Sequence, residues 1–202
     1  LEVFGSSLED NYRLWYTDNA DHVSPRFTRA NAHIVSYWGV LEQALLYLDD
    51  WVANGTPPPQ SSGYSVTEDT QGVLAESLEK RGGVQPVIEH TIAAGEGCSA
   101  SAGGVVETVA VDEPVSLTVT AATSPQIGNF VRVEWDFDSD GVYGESLELD
   151  AADSDISRCT THSYSEPGTY FAVVRVTTQS DGYLGSPYGL VQNLARVRVM
   201  VE

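Results

Sequence analysis

The sequence predicts a mainly β protein, with an antiparallel two-sheet sandwich in the second half preceded by a strand, a loop and one long amphipathic helix. Three observations carry this. Apolar and polar residues alternate with a period of two after Ala93. Clusters of Gly, Pro and Asp punctuate that alternation at short intervals. The one long run with helical spacing lies at residues 31–54, ahead of the alternating region.

Residues 13–17 (Arg13-Leu14-Trp15-Tyr16-Thr17) are rich in aromatic and β-branched side chains and read as a strand running into the polar loop 18–22. Over residues 31–54, Ile34, Trp38, Leu41, Leu45, Leu48 and Val52 share one helical face, and Tyr37, Ala44 and Trp51 widen it. Gly55 stands where a left-handed cap ends a helix, and Pro57, Pro58 and Pro59 cannot continue one because they lack N–H donors. So wide an apolar stripe requires a cover, since burying one large side chain is worth roughly 1.5 to 3 kcal/mol. The cover is expected to be an upstream domain, the sandwich or another chain. Residues 60–91 are mixed in character and read as a connector with a short helix at 71–80.

In the β half, residues 105–111 and 115–120 form successive strands around the turn Asp112-Glu113-Pro114. Residues 130–137, 169–178 and 194–201 continue the alternation, with turns at Glu166-Pro167-Gly168 and Ser180-Asp181-Gly182. The expected organisation is therefore 1–60, a connector at 61–92 and the sandwich at 93–202.

Composition narrows the function classes. A net charge of -19 and a pI near 4.3 exclude nucleic acid and anionic membrane surfaces as expected partners, because both require a basic face. No apolar run reaches the ~20 residues of a membrane span, and the N-terminus lacks a secretory pattern. Starting at Leu1 without an initiator Met, the sequence reads as a processed product or a piece of a longer polypeptide. Lys80 is the only lysine among ten basic residues. That arginine bias with an acidic surface suits a protein working outside the cell (secreted, at the cell surface or in the periplasm) or in salty surroundings; a GC-rich genome with ordinary solubility is the alternative. Cys98 and Cys159 are the only thiols; either they form a disulfide, which an oxidising compartment would permit, or they are two separate buried thiols.

The run Val133-Glu134-Trp135-Asp136-Phe137-Asp138-Ser139-Asp140-Gly141, followed by His162-Ser163-Tyr164-Ser165-Glu166-Pro167-Gly168-Thr169-Tyr170, resembles the signature of polycystin-type (PKD) domains. The resemblance covers about half of the chain and implies an immunoglobulin-like sandwich in a non-catalytic module. It makes Trp135 a core plug, Tyr164 and Tyr170 packing residues with bonded hydroxyls, and His162 a structural residue. Gly168 would supply a positive φ to its turn. Two departures stand out. Asp138-Ser139 replaces the family's Gly, and the stretch between Gly141 and Cys159 is longer and more acidic, which predicts a surface loop.

Asp136, Asp138 and Asp140 before Gly141 also mimic the first half of a calcium loop, where alternate oxygens wrap a hard cation. The bidentate Glu expected at the twelfth position is replaced by Leu147, and bonding to turn amides is the alternative role for these carboxylates. Calcium is thus an expected ligand on one reading, and no cofactor is required on the other. His33, His90 and His162 lack any zinc-binding spacing.

Residues 13–22 and 32–54 resemble the C-terminal end of an α/β-hydrolase, in which a catalytic His follows the last strand. The resemblance places His22 at the general-base position; an ordinary surface histidine is the alternative reading. Its Ser and acid would lie upstream, since neither fits before His22 and no Gly-x-Ser-x-Gly occurs here. The chain alone is expected to be inactive. The leading expectation is an accessory module at the C-terminus of an exported hydrolase-like protein, acting as a spacer or contacting carbohydrate, protein or an upstream catalytic domain. The alternatives are the C-terminal part of an esterase using His22 and a calcium-stabilised adhesion module. Self-association through the 32–54 helix is expected from its apolar stripe.

Overall fold

Alternation in the second half resolves, among the described residues, into eight strands in two facing sheets. The structure, a computed structural model, describes residues 8, 10–22, 28–66, 72–98, 104–124, 127–181 and 185–202. Before the sheets come a 3-10 helix (Thr28–Ala32), α1 (Trp38–Asn54), a small hairpin of β1 (Tyr64–Ser65) and β2 (Val73–Leu74), and α2 (Leu78–Arg81). The sandwich strands are β3 (Val87–Ala94), β4 (Val106–Val109), β5 (Pro114–Ala122), β6 (Asn129–Asp136), β7 (Glu145–Glu148), β8 (Asp155–Ser163), β9 (Gly168–Gln179) and β10 (Val191–Val201). One sheet has the order β4-β10-β9-β6-β7 and the other β3-β5-β8. β4 runs parallel to β10, and all other sandwich pairs are antiparallel. This is an immunoglobulin-like β-sandwich.

Side-chain alternation fills the space between the sheets. Val115, Leu117, Val119 and Ala121 of β5 face Ala172, Val174 and Val176 of β9, with Trp135 and Phe130 as the largest buried side chains. Trp135 is 1 % exposed and lies opposite Val174 in the sheet register. The expected core plug is in place. Cys98 and Cys159 form a disulfide with a Cα–Cα distance of 5.6 Å, tying the segment after β3 to β8 across the intervening β5.

The outer face of the larger sheet is covered in part. Val173 and Leu194 point away from the interior and pack on Ala32 and Val35, while Val40 of α1 meets Val84, Ile127 and Val191. Gln85 clamps the N-terminal loop to β10, accepting from the Asp18 N–H at 2.7 Å and donating to the carbonyls of Asp18 and Gln192. The sandwich thus covers the Gly39–Val40–Gln43 face of the helix and leaves the wide apolar stripe read from the sequence in solvent.

Several sequence expectations are corrected. Residues 13–17 form no strand; one backbone bond, from the Ser62 N–H to the Leu14 carbonyl, joins them to the neighbouring segment, and the Leu14 and Tyr16 N–H groups donate to the hydroxyls of Ser61 and Ser62. α1 starts at Trp38 rather than near residue 32, because a 3-10 turn precedes it. Its packed face is Gly39, Val40 and Gln43, not the Trp38–Leu41–Leu45 stripe. The short helix reduces to α2, and Gln71 lies outside the described residues, as does Gly182 of the expected turn at 180–182. The expected connector contains β3, a full member of the smaller sheet. The stretch from Gly141 to Cys159 is not only loop: it holds β7, whose exposed ESLE sequence gives the sheet an acidic edge. Gly168 has no positive φ and instead opens β9 opposite Val201. Gly55 is left-handed, φ 74°, as a cap position demands.

Candidate functional site

β6 determines where the aspartates go. With Val133 and Trp135 turned inward, Glu134 and Asp136 must point outward, and the strand ends at Asp136. The chain then wraps around that carboxylate. Asp136 Oδ1 accepts from the N–H groups of Ser139 (2.8 Å) and Asp140 (3.3 Å), and Oδ2 accepts from Gly141 at 2.8 Å. Ser139 at φ 62° and Gly141 at φ 87° make this tight curl, and a side chain at 141 would be strained. Asp140 in turn accepts from the Val142 N–H at 2.7 Å.

Asp136 is fully buried, whereas Asp138 and Asp140 are exposed, and oxygens of all three lie within 4.8 Å of one another. Burial pushes the Asp136 carboxyl above its ordinary range, and its hydrogen bond with Asp138 and the charge of Asp140 add to this. The Gly141 and Ser139 amides pull the other way. Three carboxylates this close favour a proton or a cation among them. Bonding to turn amides is the role seen directly.

The loop is anchored to the rest of the chain on its outer side. The Tyr143 hydroxyl donates to the Asn31 carbonyl at 2.8 Å, and burial pushes this phenol up to about 12. The Arg175 guanidinium lies 4.0 Å from the Tyr143 ring and donates to Glu134 at 2.9 Å. On its inner side, Phe137 stacks on His162 with ring centroids 4.0 Å apart, and the Tyr164 hydroxyl donates to the Phe137 carbonyl at 2.9 Å. Tyr170 stacks on Tyr164, and its hydroxyl donates to the Glu166 carbonyl. The two sequence segments singled out above therefore meet in space.

His22 lies on the surface with its side chain 87 % exposed, and its Nδ1 is 2.8 Å from Asp21 Oδ1. The Asp21 carboxyl is held below the usual range by that hydrogen bond. This pairing is between sequence neighbours.

Sequence reading missed a cleft of about 1540 Å³ between the N-terminal loop, the β1–β2 hairpin and the neighbouring ends of β3, β5 and β8. Tyr16 and Tyr64, their rings 4.8 Å apart, stand on its wall, and Asp18, Glu76, Glu89 and Asp155 line it. The buried Arg81 donates to the Ala75 carbonyl at 2.8 Å and reaches Asp18 at 3.4 Å. These residues come from segments far apart in the chain, and no local motif announces them.

No protein-family model matches the sequence, and no curated protein matches it. Among solved structures, the CARDB domain of a Pyrococcus furiosus protein is similar in a solution NMR structure, at 13% identity over 58% of this chain and 95% of that one, TM-score 0.35. A crystal structure of the same domain in complex with di-metal ions gives 12% identity, coverages of 58% and 90%, and TM-score 0.35. A superoxide reductase (neelaredoxin) variant from Ignicoccus hospitalis gives 17% identity, coverages of 56% and 81%, and TM-score 0.29. Likenesses this distant carry no argument, and the functional reading rests on the strands and side chains themselves.

Proposed function

We propose that this chain is a non-catalytic accessory module of an exported, hydrolase-like polypeptide, with a PKD-type sandwich as a rigid mount for contacts on its surface. The observation that carries this reading is the filled interior. Trp135, Phe130 and the valines of β5, β9 and β10 occupy the space between the sheets, so what the module offers a partner lies outside. The PKD assignment draws its support from the joined motifs, in which Phe137 is stacked on His162 and bonded by Tyr164. Export is favoured by the Cys98–Cys159 bridge, since disulfides persist in oxidising compartments. The cleft beside Tyr16 and Tyr64 suits a carbohydrate, because tyrosine rings stack on sugar faces and carboxylates accept from hydroxyls.

The test uses the whole chain with a panel of short-chain esters. No turnover above buffer is expected. Hydrolysis that disappears in His22→Ala would overturn this reading. The esterase reading, whose Ser and acid lie upstream, is tested on the longer polypeptide: it requires a nucleophile elbow there and an esterase activity that His22→Ala abolishes.

A second reading has its own observation, the three aspartate oxygens within 4.8 Å. Asp138 and Asp140, with a free lone pair of Asp136, would hold a calcium ion and relieve their mutual repulsion. On this reading added calcium raises the melting temperature and Asp138→Asn removes the rise. An unchanged melting curve would dismiss it.

A further inference from the structure

The cleft at the ends of β3, β5 and β8 joins surfaces of different chemistry. Its floor includes two cross-strand rows: Val87, Ala122 and Asp155 are paired in one, and Glu89, Thr120 and Ser157 in the next. Ile88, Ala121 and Ile156, which lie between the rows, pack into the interior, so both rows face out. Short side chains at Ala122, Thr120 and Ser157 keep the middle of the floor low and place two hydroxyls on it. The wall is more apolar. Tyr16 and Tyr64 stand there with their rings tilted by 59° to each other and each 45 % exposed, and the exposed Val66 and Val73 extend it.

Ring faces above hydroxyls and carboxylates fit a ligand with a flat apolar face and a polar rim, which describes a pyranose. An extended peptide is a poorer match. β5, the central floor strand, has both edges paired, so side chains rather than backbone groups must read the ligand there. The volume, about 1540 Å³, exceeds the ~300 to 1,000 Å³ of a typical small-molecule pocket and leaves room for more than one sugar unit.

Charge narrows the class of sugar. Among the described residues that line the cleft, the charged ones are Asp18, Glu76, Arg81, Glu89 and Asp155. Arg81 lies 3.4 Å from Asp18 and donates to the Ala75 carbonyl, so these two charges offset each other. Glu76, Glu89 and Asp155 remain, all exposed; the Ser154 hydroxyl, 3.5 Å from Asp155, is neutral. The cations next along the chain do not line the cleft: Lys80 precedes Arg81 on α2, and Arg158 turns to the Ser157 carbonyl and to Asp153. Uronic or sulfated sugars would meet repulsion here, and a protonated amine would meet three unneutralised carboxylates.

We propose that the cleft binds an oligosaccharide of amino sugars, with ring faces on Tyr16 and Tyr64 and ammonium groups held by Glu89 and Asp155. This rests on the reading of the chain as an accessory module that contacts carbohydrate, and it names the sugar class.

The experiment titrates the full chain by calorimetry, slightly below neutral pH, with a linear glucosamine hexamer. The N-acetylated hexamer, a galacturonate hexamer and a hexalysine peptide are the comparisons. Saturable one-to-one binding of the glucosamine hexamer is expected, about tenfold or more tighter than the N-acetylated form, with no binding of galacturonate. Tyr16→Ala and Tyr64→Ala should each weaken it by about tenfold, whereas Tyr64→Phe, which keeps the ring, should not. Glu89→Gln should weaken it by about threefold, as loss of an exposed ion pair does, and Asp49→Asn, on α1 outside the cleft, should leave it unchanged. A chain of net charge -19 attracts any polycation, so hexalysine bound as tightly, or tyrosine variants that bind like the parent, would overturn the proposal. So would equal affinity for the glucosamine and N-acetylated hexamers, or equal effects of Glu89→Gln and Asp49→Asn. Were one tyrosine variant to unfold, shown by its melting curve, the other and Glu89→Gln decide. Release of reducing ends would overturn the non-catalytic reading and leave the ligand assignment intact; absent binding would overturn the assignment and leave that reading intact.

Discussion

His90 shows how one side chain couples the core to pH. It points inward from β3 between Ile88 and Ile92, 3 % exposed, and neither ring nitrogen has a well-formed hydrogen bond. Burial lowers its pKa from 6.5 to about 4, and the nearby Ala195 backbone opposes this with a smaller effect. The folded state therefore resists a proton that the unfolded chain accepts. Stability from this source is fully present above about pH 6.5 and is lost as pH falls towards about 4, by an amount on the order of 3 kcal/mol. Asp136 acts in the opposite sense, since its raised carboxyl makes protonation more favourable in the fold. The prediction is accordingly differential. In urea melts at pH 7 and pH 4.5, His90→Leu should lose much less stability on acidification than the parent; equal losses would remove His90 as the cause.

The same residue explains why β3 is hard to read from sequence. A histidine at an inward position breaks the apolar-polar alternation of Val87–Ala94, so the strand resembles part of a connector. β5, β6, β9 and β10 have apolar residues at successive inward positions and are legible at once. Asp136, Asp138 and Asp140 were legible as a cluster because they are close in sequence. The burial of Asp136 was not, because it depends on Asn31, distant in the chain, bonding to Gly141 and Tyr143 of the loop.

At the scale of elements, α1 is the instructive case. Apolar spacing locates a helix but cannot say which stripe faces inward when both faces are apolar; the choice is made by Gly39, whose missing side chain lets the backbone approach Leu190. Residues 13–17 fail in the reverse way. Their composition favours a strand, but the segment alongside gives a single backbone bond and two serine hydroxyls rather than a full backbone ladder. A matched pair of variants tests the assigned faces. Val40→Asp buries a charge among Val84, Ile127 and Val191 and should cost about 3 kcal/mol or more. Leu45→Asp, already in solvent, should change stability by no more than about 0.5 kcal/mol. Equal costs in chemical denaturation would mean that the helix is seated otherwise.

Across the whole molecule, the N-terminal segment and the sandwich share hydrophobic contacts through the outer face of the larger sheet. The disulfide reinforces the smaller sheet at a sequence separation of 61, which in the chain-entropy account stabilises by ~3 to 4 kcal/mol. Reduction should lower the denaturation midpoint accordingly while the β-sheet circular dichroism persists in water. Loss of all structure on reduction would show the hydrophobic interior to be weaker than its packing implies. That interior is the centre of the account, and nuclear Overhauser contacts of the Trp135 indole test it most directly. The account predicts cross-peaks to Val174 in its own sheet and also to Val119 or Ile156 in the facing one. An indole with contacts to one sheet only, quenched freely by acrylamide, would contradict it.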